Sequence, residues 1–368
     1  DLFFDEPLLK YNNMPKVAQF LPDAATLASD QGVDLEICQC SGCGLVQLLN
    51  EPVSYYRDVI RAAAYSPEMK AFRLAQFKDF LDKYQLAGKK VLEVGCGCGE
   101  YLTLMQESGA AAYGLEHLAE SVAKCQAIGL NVSQGFIASS DYQLKDAPFD
   151  AFFILNFFEH LPDPNSLLRG IYHNLAEGAV GLIEVPNFDM IVEKKLFSEF
   201  MTDHLLYFTK ETLNNTLKLN GFDILASDVV WHDYIISTVV SKRPKLDLTH
   251  FYQDQEKIKK EILDFVSKFS IRKIAIWGAG HQALAIMSLA DLTGKIRYVI
   301  DSALFKQDKF TPATHIPIVS PKKLISDPVD AVIIMCASYS DEVVKIIQAK
   351  YGSNIKIAVL RDFGLEMV

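Results

Sequence analysis

Asp203 and His204 stand side by side in the stretch Met201–Tyr207, and a second histidine, His160, closes Asn156-Phe-Phe-Glu-His160 at the end of an apolar run. An imidazole titrates near neutrality, so it can take or give a proton, and a neighbouring carboxylate can orient it. His204 is therefore a candidate general base with Asp203 beside it. His160 and Asn156 are candidates to polarise a carbonyl, and Asn156 is also a candidate to bind the cofactor. The plainer reading stays open: Thr209–Leu213 starts a helix and leaves Asp203 and His204 on its exposed approach, and His160 has no chemical part.

A second group surrounds Lys90–Glu100, KVLEVGCGCGE. Val91, Leu92 and Val94 read as a buried strand. Gly95, Gly97 and Gly99 then crowd into five residues, and Tyr101, Leu102, Leu104 and Met105 begin a helical pattern. Strand, glycine turn and helix open the nucleotide site of a doubly wound α/β domain, because the backbone must turn tightly and lie against the ligand. Glu93 sits within the strand before the glycines, suited to an ammonium. Glu116 ends the next apolar strand, suited to the two hydroxyls of a ribose. This stretch resembles motif I of the class I S-adenosylmethionine (SAM) methyltransferases, which implies SAM as the cofactor. It also implies that Gln134–Ile137, after the third strand, meets the adenine. The usual acid is absent there, so Phe136 and the backbone hold the base.

Cysteine supplies a third candidate. Cys40-Ser-Gly-Cys43-Gly has the two-residue spacing of one knuckle of a structural zinc site, with Cys38 as a weaker third ligand. One knuckle gives two of four ligands, so zinc and free cysteines both remain open. The chain begins at Asp1 rather than methionine, so a segment carrying the other knuckle can precede it.

The elements that must position these groups follow from pattern and composition. The 368 residues exceed one ordinary core, half are apolar, and the formal net charge is −10. That charge opposes long-range attraction to nucleic acid. No apolar run reaches the ~20 residues of a membrane span. Odd-numbered, clustered cysteines favour a reducing cytoplasm. The expected order is a cysteine module over 1–50, a helical linker over 51–85, a SAM-binding core over 86–241 and a second Rossmann-like α/β domain over 255–368. Tyr55, Tyr56 and Tyr65 precede the linker helix, as core or as a lid. The core reads as strands at 90–94, 111–115, 130–134, 149–155 and 180–185, then a hairpin near 222–230 and 234–240. Ser241–Asp254 reads as a linker and Glu256–Phe269 as an amphipathic helix. Then come Lys273–Trp277, the turn Gly278-Ala-Gly280-His281, and a strand ending at Asp301. That is a weaker nucleotide signal, because Gln282-Ala283 replaces the usual third glycine.

Together these pieces resemble the sugar C-methyltransferases, which methylate carbon 3 of a nucleoside-diphosphate 4-keto-6-deoxy sugar. The resemblance spans essentially the whole chain: the Cys40–Cys43 knuckle, the SAM core, Trp277–Gly280, and above all the run from Tyr298 to Lys306 and Thr311–Ile318 (TPATHIPI). It implies a nucleotide-sugar substrate, an enolate mechanism, His204 as base with Asp203 as its acid, and His160 as the histidine after the fourth strand. Met201 stands where the family carries a tyrosine, so an oxyanion donor is lost, and Tyr207 or His160 is the candidate replacement. An O- or N-methyltransferase on the same scaffold, or a non-catalytic nucleotide-sugar binder, are the alternative readings.

Overall fold

The computed structural model describes residues 4, 6–17, 21–57, 65–352 and 354–368. Residues 58–64 of the expected linker thus lie outside it. The chain divides into two compact units, Asp1–Lys245 and Leu246–Val368.

The first unit opens with strands β1 (Leu9–Met14), β2 (Val33–Gln39) and β3 (Val46–Leu48). Helix α1 (Pro67–Tyr84) starts where the sequence dictates: Ser66 caps it by accepting the Met69 N–H, and Pro67 takes the first turn, where its missing donor costs nothing. Then follow β4 (Lys90–Val94), α2 (Glu100–Glu107), β5 (Ala111–Glu116), α3 (Ala119–Ala127), β6 (Asn131–Gln134), β7 (Phe149–Leu155), α4 (Pro164–His173) and β8 (Leu175–Pro186). Next are α5 (Phe188–Glu193), β9 (Leu206–Tyr207), α6 (Lys210–Leu219), β10 (Phe222–Val230) and β11 (Ile235–Lys242).

These strands form a seven-stranded sheet ordered β10-β11-β8-β7-β4-β5-β6. It is parallel from β8 to β6, and the antiparallel β10–β11 hairpin closes one edge, as expected from the sequence. The near-continuous apolar runs of β4 and β7 follow from burial on both faces. Val91, Ala151 and Phe153 pack under Phe77 and Phe80 of α1, while Leu92, Phe152 and Ile154 pack on the other side with Phe158, Leu167 and Phe222.

A second sheet, β1-β2-β3-β9, changes the reading of the N-terminal segment. Val46 and Gln47 of β3 pair with Tyr207 and Leu206 of β9, and the Leu48 N–H donates to the Leu205 carbonyl at 2.9 Å. The hairpin that carries the cysteines therefore grips the chain just after His204.

The second unit begins with α7 (Thr249–Val266). It starts seven residues before the expected Glu256, because Asp247 caps the Thr249 N–H and no breaker intervenes. The rest is β12 (Ile274–Trp277), α8 (His281–Leu289), β13 (Tyr298–Ile300), β14 (Ile318–Val319), α9 (Lys323–Ser326), β15 (Ala331–Ile334), α10 (Ser340–Lys350), β16 (Lys356–Arg361) and β17 (Gly364–Met367). The sheet order is β14-β13-β12-β15-β16-β17, parallel except for β17. Among the described residues no helix is long and apolar enough to cross a membrane.

Candidate active site

The glycine turn between β4 and α2 has the backbone the residue types demand. Gly95, Gly97 and Gly99 adopt φ of +73°, +55° and +85°. A methyl at Gly95 would lie 2.8 Å from the Phe157 ring and one at Gly99 2.5 Å from Leu130, so a side chain is excluded both by conformation and by space. Glu93 and Glu116 are each 1% exposed at the carboxyl ends of neighbouring strands. The Glu116 carboxylate accepts the Gly97 N–H at 2.8 Å and the Leu118 N–H at 2.9 Å. It thus ties the turn to the end of the next strand. Half-buried Phe136 follows β6, edge-on to Tyr56 at 6.1 Å and to His117 at 6.4 Å, with the Arg57 guanidinium 5.1 Å from its ring centre. A positive-φ glycine cradle, two buried acids and an aromatic wall fit a ligand that carries an ammonium, a ribose and a flat base. Glu93, Gly95, Gly97, Gly99, Glu116 and Phe136 are the residues that would hold SAM.

The proton-transfer candidates meet at the next strand ends. Asn156 ends β7 in the left-handed region (φ +49°), with its side chain exposed. A single 3₁₀ turn, Phe158–His160, then points Glu159 inward and His160 toward the loop before β9. There the His160 and His204 rings meet edge-to-face, 4.7 Å between centres. Glu159 Oε1 lies 3.8 Å from His160 Nε2, and its Oε2 is buried without a hydrogen-bond partner.

All three groups are pushed toward their uncharged forms. Burial lifts Glu159 to about 8. Burial, then the nearby His160, holds His204 down at about 3. Burial lowers His160 too, against the opposing pull of the Asp203 carbonyl it bonds to and of the Asp203 charge. The cause is common: taking a charge out of water costs more than the neighbours return.

Asp203, 3% exposed, is not turned onto His204. Its carboxylate accepts the Tyr55 hydroxyl at 2.8 Å and the Thr202 hydroxyl at 3.4 Å, and its carbonyl serves His160. Tyr207 is occupied as well: its hydroxyl accepts the Met201 N–H at 3.1 Å and donates to the Met201 carbonyl at 3.3 Å. It therefore stands in the frame of the loop where Met201 replaces a tyrosine. A neutral His160 that donates to a carbonyl has no second N–H to offer.

Sequence reasoning missed Glu159 and the Tyr55–Asp203 bond. Glu159 was legible as an acid next to His160 at a strand end. In the sequence Tyr55 stands only as one of three tyrosines before the linker helix.

Cys40 and Cys43 flank a tight turn in which the Gly44 N–H donates to the Cys40 carbonyl at 2.9 Å. Burial, chiefly, lifts the Cys43 thiol. Among the described residues no third ligand joins them. The group with metal-like spacing is Glu159, His160 and His204, whose ligand atoms lie within 4.8 Å of one another. Two sulfurs do not make the four-coordinate site that structural zinc takes.

Two family models match the chain: a methyltransferase domain over residues 68–227 and a C-methyltransferase C-terminal domain over 244–359. The C-methyltransferase NovU of Streptomyces niveus is 20% identical across 92% of this chain and 88% of its own length. These matches make the chain a SAM-dependent methyltransferase that is similar to a C-methyltransferase along most of its length. A ubiquinone biosynthesis O-methyltransferase of Pseudomonas fluorescens is 33% identical to this methyltransferase, over 26% of the chain and 44% of the relative. Among solved structures, the plantazolicin methyltransferase BpumL in complex with SAH aligns with a TM-score of 0.40 at 15% identity, covering 48% of this methyltransferase and 86% of BpumL. A SAM-dependent methyltransferase from Clostridium acetobutylicum aligns with a TM-score of 0.39 at 12% identity, over 47% and 92%.

Proposed function

We propose that the enzyme methylates a carbon next to a ketone in a nucleotide-linked deoxysugar, with an imidazole nitrogen of His204 as the base. SAM, when bound, supplies an electrophilic methyl group; the protein must make the carbon nucleophile. A ketone acidifies the adjacent C–H, and His204 takes that proton as the enolate forms. The observation that carries the reading is the buried, uncharged His160–His204 pair beside a neutral Glu159. The resting imidazole is neutral and a weak base whose basicity rises as negative charge develops beside it, and a neutral Glu159 adds no repulsion to the developing enolate. The imidazolium and enolate then attract each other strongly in a site poor in water. Asn156 donates to the ketone oxygen. Asp203 positions His160 through its carbonyl and is itself fixed by Tyr55. The nucleotide-sugar acceptor is supported by the likeness of the whole chain to the sugar C-methyltransferases.

The test is exchange of the acceptor's α-hydrogen with deuterium oxide, read by NMR with SAH in place of SAM. Wild-type enzyme is expected to exchange it, and His204→Ala to lose exchange and turnover by a thousandfold or more while SAH affinity holds. Undiminished exchange in that variant removes His204 from the mechanism.

A second reading has one observation in its favour: Glu159, His160 and His204 have the spacing of metal ligands, and metal-assisted methylation of an oxygen would use them so. Turnover lost to a chelator and restored by a divalent cation selects it; turnover indifferent to chelation supports the proton-transfer role.

A further inference from the structure

Arg73 of α1 is fully buried, at 0% exposure, where a guanidinium is rarely found unless its N–H groups are paired. It carries five of them. The two on Nη1 are used: one goes to Gln76 Oε1 at 2.7 Å and one to the buried carboxylate of Glu184. Glu184 is filled in turn, because its other oxygen accepts the Gln76 side-chain amide. Among the described residues, Nε and Nη2 of Arg73 have no hydrogen-bond partner. The Nε–H and one Nη2–H lie parallel along one edge of the planar fork, the arrangement that matches the two oxygens of a carboxylate. Leaving such an edge buried and unused is costly, so its partner has to be found.

The edge stands beside the glycine turn. Side chains alternate between the two faces of a strand. Val91 and Leu182 pack on the face that α1 covers, so Glu93 and Glu184, each two residues further on, belong to that face as well. Glu184 is level with Leu155, the last residue of β7. Tyr101, in the first turn of α2 and two residues past Gly99, puts its ring centre 5.2 Å from the Arg73 guanidinium carbon. Arg73 and Glu93 thus lie on one side of the sheet, near the carboxyl ends of β8 and β4, with β7 between those strands.

SAM and SAH both end in an amino acid, with an ammonium and a carboxylate on the same carbon. Glu93 suits the ammonium, and among the residues assigned above none is a cation for the carboxylate. We infer that Arg73 binds this carboxylate through its Nε–Nη2 edge. The half-buried Tyr101 ring covers the guanidinium, and it swings aside as the ligand enters. Glu184 and Gln76 hold the opposite edge and keep the fork aimed. The two charged ends of the amino acid are then read separately, by an acid on β4 and a guanidinium on α1. The inference concerns the methyl donor alone and does not depend on the acceptor proposed above.

The test is calorimetric titration of the full-length protein with SAH and with S-adenosyl-3-thiopropylamine, which is SAH without its carboxylate. The wild type is expected to bind SAH about tenfold or more tighter than the amine. Arg73→Met should weaken SAH by the same factor and leave the affinity for the amine unchanged or raised, so that the preference disappears. Arg73→Lys, which keeps the charge and loses the fork, should keep part of it. Because Arg73→Met leaves Glu184 buried without its cation, the double variant Arg73→Met with Glu184→Gln is titrated beside it and should show the same loss of preference. A wild type that binds the two ligands equally overturns the inference whatever the variants do. So does a preference that survives in Arg73→Met or in the double variant. Equal weakening of both ligands would make Arg73 a support of the fold and overturn it too.

Discussion

Glu116 and Asp301 hold the same place in the two units. Each follows or ends the strand after a glycine turn, and each accepts two main-chain N–H groups, one from the turn and one two residues further on: Gly97 and Leu118 for Glu116, Ala279 and Ala303 for Asp301. The surroundings differ. Five residues beyond Glu116 stands Ser121; five beyond Asp301 stands Lys306, bonded to the acid. The first turn has three glycines at positive φ and an acid, Glu93, in the strand before it. The second has one glycine at positive φ, Gly278, and no such acid in β12. The strand–turn–helix device fixes where a ligand sits and leaves its charge to nearby side chains. Acids at the first turn suit the ammonium of SAM, whereas at the second the acid is paired with a lysine.

The comparison can be broken most decisively by removing the matched acids one at a time. Glu116→Ala should lower SAH affinity by about 10- to 100-fold, the range for losing hydrogen bonds to a charged group, whereas Asp301→Ala should leave it unchanged. Equal losses would mean that the two turns are not independent sites.

Protonation sharpens the contrast by a smaller amount. Glu159 is held neutral to about pH 8. Burial alone would raise Asp301, but hydrogen bonds from Ala303, Lys306 and Ala279 outweigh it and keep it below its ordinary value. Turnover should therefore fall above about pH 8, up to tenfold per pH unit, as Glu159 ionises beside the enolate; Glu159→Gln should flatten that limb. Stability follows opposite signs. Folded Glu159 keeps its proton where the unfolded chain has lost it, so its contribution declines as pH rises from about 4.5 to about 8. The contribution of Asp301 is present above its unfolded pKa of about 3.8 and is lost as pH falls through its lower folded value. Urea titrations of the wild type, Glu159→Gln and Asp301→Asn across pH 3–9 separate the two.

The smallest effect concerns the frame behind the methyl-transfer site. Tyr55→Phe removes the hydroxyl that fixes Asp203 and should cost about 1–2 kcal/mol of stability with a several-fold fall in turnover.

The amino-acid sequence by itself determined the local devices. Glycine types fixed the turn at 95–99, because only glycine takes positive φ at three alternate positions against a ring and a leucine. Apolar runs bounded by acids fixed the parallel strands and placed Glu93, Glu116 and Asp301 at their ends. Ser66-Pro67 fixed the start of α1. These are short-range matters of backbone sterics and hydrogen bonding. The tertiary structure decided what short range cannot reach. Tyr55 meets Asp203 across 148 residues of chain, and β3 of the cysteine hairpin pairs with the strand after His204. His160 and His204 come into contact only because the end of β7 and the loop before β9 share one mouth. Their charge state was equally beyond the sequence: an imidazole's ordinary pKa belongs to water, and burial, which only the packed fold supplies, is what holds His160, His204 and Glu159 neutral.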